Sequence, residues 1–196
     1  MRLFSAALVV ASLATAVDAQ VPVTVRCTPT DGSAAGCYYC PGYQNVIKWV
    51  GTRLQSSTIN LVAYHDLDVV LQGTWNGSLI DVTSVQIVGE SFSISGNAHL
   101  GTFADYKTTG SDGDIAINFA ALGNGFAVPI ADVALQLDPT RMAVLDAGVI
   151  SGGQYESQLA IPNVPSLVGL RIYGQGIVLT QAMTLWSTNV DTKVVN

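Results

Sequence analysis

The sequence predicts an all-β protein, and three observations carry that expectation. No window of about a dozen residues shows a capped apolar repeat of helical period, apart from a weak one over residues 44–54. Short runs that alternate apolar and polar residues recur roughly every ten residues, separated by Gly, Asn and Pro, as in sandwiches and barrels. Asn76-Gly77 stands between two β-rich runs, a strong hairpin signal because both residue types tolerate the positive φ of a type I′ turn.

Taken in order, residues 1–19 have the form of a secretory leader. Arg2 supplies a positive charge, an uncharged Ala/Leu/Val-rich run follows, and Val17-Asp18-Ala19 provides an A-x-A-like cleavage site. That run is too short to span a bilayer, and no other stretch approaches the ~20 apolar residues required. A secreted, cell-surface or periplasmic setting follows. Cys27, Cys37 and Cys40 come next, and in an oxidising compartment the expectation is one disulfide, Cys27–Cys40 or Cys27–Cys37, with one cysteine left over. Cys37-Tyr38-Tyr39-Cys40 also has redox-pair spacing, but Pro41-Gly42 stands where a helix is needed, and zinc finds only His65 as a nearby fourth ligand.

Strands are expected over residues 68–75 and 78–88. In the second, the apolar phase changes from Ile80 and Val82 to Val85 and Ile87, which predicts a bulge near Thr83-Ser84. Alternation restarts over 91–95 and continues over 114–119, 132–138 and 155–161. Residues 168–179 form a longer apolar strand, and 183–187 and 191–195 complete the set.

Charged residues make up only 11% of the chain, against about 25% in ordinary domains. Eight scattered Lys and Arg within a net charge of −6 exclude a phosphate backbone as the natural partner.

Ile59-Asn60-Leu61-Val62-Ala63-Tyr64, with Asp68-Val69-Val70-Leu71-Gln72-Gly73-Thr74-Trp75 and Ile80-Asp81-Val82-Thr83-Ser84-Val85, resembles the consecutive coiled strands of small OB-like modules. The stretch from Ile161-Pro162-Asn163 through Leu167-Val168-Gly169 to Tyr173-Gly174-Gln175, with Thr188-Asn189 after it, resembles the close of uncharacterised secreted planctomycete-type β-sandwich proteins. The resemblances imply an OB-like module over 20–89 and an antiparallel β-sandwich over 90–196, exported, with no reaction attached.

Candidate chemistry is sparse. His65 and His99 are the only bases for a Ser-His-Asp arrangement, and Ser93 occupies the second Gly position of an elbow-like Gly89-Glu90-Ser91-Phe92-Ser93. Asp105, Ser111, Asp112 and Asp114 offer oxygens for Ca²⁺, but without the calcium-loop pattern, so a plain Asp/Gly turn is the expectation. The close carboxylate pairs Asp66/Asp68 and Asp112/Asp114 both fall at turns, a poor setting for glycoside hydrolysis. Trp75, Tyr38 and Tyr39 are the candidate ligand-facing aromatics, with Trp49 and Trp186 also able to stack on sugars or to pack inside. The expected function is an exported, non-enzymatic surface, envelope or matrix protein acting as a structural or binding module, with no catalytic or cofactor residues. Glycans and self-association are the expected partners. A carbohydrate-binding sandwich is the alternative, and a secreted hydrolase the third.

Overall fold

A computed structural model describes residues 20–32, 45–130 and 133–196. The leader and the candidates Cys37, Tyr38, Tyr39 and Cys40 lie outside the described residues. Those described hold strands and two short 3₁₀ turns and no α-helix, so the protein is all-β.

The strands are β1 (Val21–Cys27), β2 (Pro29–Thr30), β3 (Val46–Ile47), β4 (Arg53–Gln55), β5 (Val69–Trp75), β6 (Leu79–Ile87), β7 (Phe92–Ser95) and β8 (Phe103–Thr109). After them come β9 (Ile115–Ala121), β10 (Asn124–Ile130), β11 (Val133–Leu137), β12 (Met142–Val149), β13 (Gln154–Ala160), β14 (Arg171–Leu179) and β15 (Leu185–Val194). An eight-stranded sheet runs β10-β11-β1-β5-β6-β4-β3-β2, a four-stranded one β12-β9-β14-β15, and a three-stranded one β13-β8-β7.

The four-stranded sheet is the middle layer, because successive side chains on a strand face opposite ways. On β14, Ile172 and Gly174 face the three-stranded sheet, where Phe92, Ile94, Ala104 and Tyr106 form a buried cluster with Ile172. Gly174 is required there: a Cβ would lie 2.6 Å from the Tyr106 ring and 2.7 Å from the Phe92 ring. Gln175 faces the other way, toward the eight-stranded sheet, where Phe119, Ala121, Leu137 and Val190 form a second cluster. The eight-stranded sheet keeps its own core of Val23, Val25, Cys27, Leu71, Ile80 and their neighbours.

The bulge falls where the phase change places it. Gln72 pairs with Ser84 and Gly73 with Val82, leaving Thr83 unpaired, and the Thr83 hydroxyl donates to the Gln72 carbonyl at 3.2 Å. Three expectations need correction. At the 76–79 turn the Asn76 N–H donates to the Leu79 carbonyl, and positive φ occurs only at Gly77, so the turn is not of type I′, which needs positive φ at both central residues. Asn76 instead accepts the Ser78 and Leu79 N–H groups on its side chain. Within 44–54 the described residues form the β3–β4 hairpin rather than a helix, closed through Trp49 and Gly51 at positive φ. Residues 183–195, read as two strands, contain the single strand β15, with a register shift where it passes Gln175 and Ile177.

Strand pairing joins segments from the two sides of residue 89. β10 and β11 return from the second region, and β11 pairs in parallel with β1 at Thr24 and Val133.

Candidate functional site

Val23, Val25 and Cys27 of β1 are buried in the core, so Arg26 between them emerges on the opposite face of the strand. There its guanidinium carbon lies 4.0 Å from the centre of the Trp186 ring. Trp186 comes from the start of β15 and is half-buried against Ala116, Ile150 and Val178. The pair walls a cleft of about 440 Å³ between the eight-stranded sheet and the sandwich, completed by Glu90, Ser91, Thr109, Ser111, Asp114 and Thr180. A junction of this kind is a common place for a ligand site.

Burial lowers the Arg26 pKa, yet a guanidinium keeps its proton at neutral pH. Arg26 makes no ion pair among the described residues. A guanidinium stacked on an indole keeps N–H donors for another partner. Glu90 is exposed at the rim, and its pKa is raised by partial desolvation and by the like charges of Asp191 and Asp68. The buried Asp114 accepts the Gln181 N–H at 3.1 Å.

The remaining sequence candidates are accounted for by other partners. Asp112 accepts the Gly153 N–H at 2.7 Å and Asp105 accepts from the Gln158 amide at 2.8 Å, so these carboxylates tie strands and turns together. Among the described residues no three His, Cys, Asp or Glu gather into a metal-binding group. Asp68 accepts the Thr28 hydroxyl at 2.7 Å, and Asp66 meets Lys48 at 3.4 Å. The Ser91 hydroxyl donates to the Asn189 side-chain oxygen at 2.9 Å. His65 bonds Asn45 at 2.8 Å, and His99 is exposed in the loop between β7 and β8. Cys27 is a buried free thiol whose pKa is pushed up by burial and then by Asp68.

Trp75 is half-buried, its ring 4.7 Å from that of Phe126 and packed on the N-terminal core. Trp49 lies between Lys48, at 5.7 Å, and Arg171 of β14, at 5.2 Å. Two Arg–Trp contacts therefore cross the same junction in opposite senses. Sequence reasoning passed over Arg26, although a lone charge closing the alternating run Val21–Cys27 was a visible signal.

No protein family, curated protein or solved structure matches the chain.

Proposed function

We propose that this is an exported, non-catalytic protein of a cell surface, envelope or matrix, and that it binds a glycan in the Arg26–Trp186 cleft. The observation that carries the reading is a cation stacked on an indole without an ion-pair partner among the described residues, in a cleft lined by Ser and Thr hydroxyls and two carboxylates. Sugar hydroxyls both donate and accept, so they suit carboxylates, hydroxyls and a guanidinium together. The exported setting rests on residues 1–19, and the OB-like character of the N-terminal region on its resemblance alone. In that setting a disulfide is the expectation for the cysteine trio, but Cys27, the partner in both expected pairings, is a free thiol.

Glycan-array screening of the wild type, Trp186→Ala, Arg26→Ala and Trp75→Ala tests the reading. Binding that falls at least about tenfold in the first two variants and survives in the third is expected. No signal from the wild type on any glycan overturns it.

A further inference from the structure

Asn76-Gly77-Ser78 is the one Asn-x-Ser/Thr triplet in the 196 residues, and such triplets are the acceptors for N-linked glycans in exported proteins. All three residues are exposed at the tip of the β5–β6 hairpin. A Cβ added to Gly77 would meet nothing within 4 Å, so the tip stands clear of the rest of the chain.

The protein uses only one end of the Asn76 carboxamide. Its Oδ1 accepts the Ser78 N–H, the Ser78 hydroxyl and the Leu79 N–H, each at 3.0 Å. An aspartate oxygen would accept the same three bonds. The Asn76 Nδ2 has no partner among the described residues. Other asparagines contrast with it. The Asn118 Nδ2 donates to the Tyr106 carbonyl and the Ser157 hydroxyl, the Asn124 Nδ2 to the Trp49 carbonyl, and the Asn189 Nδ2 to the Phe92 carbonyl. The turn thus explains why residue 76 carries an oxygen, and gives no reason for its nitrogen.

We propose that Asn76 is the acceptor of an N-linked glycan, with the Ser78 hydroxyl as the second group that the transferase reads. In the transfer the Asn76 Nδ2 bonds to the reducing-end C1 of an oligosaccharide carried on a polyprenyl diphosphate. The C1–O bond to the diphosphate breaks, the diphosphate leaves with the bonding electrons, and one Nδ2 proton passes to a base of the transferase. The modification rests on the exported setting proposed above, since the donor and its transferase belong to the export route. It leaves the Arg26–Trp186 cleft open. In the β1–β5 ladder Val21 pairs with Trp75 and Arg26 with Val70, so the tip lies about 20 Å along the strands from Arg26 at about 3.3 Å per residue. There the sugar adds hydroxyls to a chain in which only 11% of residues are charged.

Peptide mapping by mass spectrometry is the test, on the wild type from its native cells and on variants secreted with residues 1–19 from a eukaryotic host. A hexose-bearing Asn76 peptide is expected in the wild type and in Ser78→Thr, with complete loss of the sugar in Ser78→Ala and Asn76→Asp. Asn76→Asp keeps the oxygen that closes the turn, so its melting temperature should match that of wild type stripped by peptide-N-glycosidase, which leaves aspartate at the same position. A native chain freed of its leader but with a bare Asn76 peptide, intact or deamidated, overturns the site and leaves export standing. A native chain that keeps residues 1–19 overturns both. Sugar that persists in Asn76→Asp places the acceptor elsewhere and overturns the assignment.

Discussion

The side chain of Gln175, in the middle sheet, ends on the backbone of Gln136 in the eight-stranded sheet: its Oε1 accepts the Gln136 N–H at 2.8 Å. Its Nε2 donates to the carbonyls of Ala134, at 3.2 Å, and Thr188, at 3.0 Å. Both glutamines are fully buried, and Gln136 donates in turn to the Arg26 carbonyl at 2.8 Å. One carboxamide thus supplies the donor and acceptor that a neighbouring strand would, and so holds two sheets in register.

Gln175→Leu keeps much of the volume and orphans the Gln136 N–H and the Ala134 carbonyl. Unpartnered buried groups cost about 1–3 kcal/mol each, so urea unfolding should show a loss of at least about 2 kcal/mol. A change below about 0.5 kcal/mol would mean that these groups find other partners.

Gly174→Ala drives a methyl into the Phe92 and Tyr106 rings, whose nearest carbons leave no room for it. Overpacking of this kind costs about 1–3 kcal/mol. Gly89→Ala, with nothing within 4 Å of the added carbon, serves as the near-neutral comparison in the same thermal melts.

Arg26 and Trp186 should be energetically coupled. A double-mutant cycle through Arg26→Ala and Trp186→Leu is expected to return about 0.5–2 kcal/mol of interaction, the range for a partly desolvated cation–π pair. Additive losses would reduce the contact to proximity.

The Cys27 thiol should ignore Ellman's reagent in the native protein and react after denaturation, because it is buried. Its folded pKa is raised by burial and by Asp68, so below the ordinary thiol value both states are protonated and its contribution is fully present. As pH rises past about 8.5 the unfolded thiol ionises while the folded one does not. Stability should therefore fall with pH above that point. Tyr155, pushed up to about 12 by desolvation and by Asp146, acts in the same direction at more alkaline pH. Cys27→Ser or Cys27→Ala variants with an unchanged alkaline slope would assign it elsewhere.

Local features were legible and long-range ones were not. Asn76-Gly77 and the phase change after Val82 mark the β5–β6 hairpin and its bulge because both are set by neighbouring residues. The β8 strand escaped notice because its buried face is Ala104, Tyr106 and Thr108, a set that hydropathy does not distinguish from a loop. The return of β10 and β11 to pair beside β1 leaves no local mark, since each strand alternates identically whichever sheet receives it. Arg26 was visible as a lone charge, but its partner Trp186 lies near the other end of the chain, and only the assembled sheets bring the two together.

The parallel pairing of β1 with β11 also sets an order of events. A growing chain has made its first strand, the β5–β6 hairpin and most of the sandwich's opening strands before Val133 exists to join Thr24. Loop closure over so long a stretch is slow, and until it occurs the β11 side of β1 has no partner. A polypeptide cut after residue 89 should therefore remain unstable however well its own strands are patterned. The intact chain should acquire protease resistance late and all at once, rather than module by module.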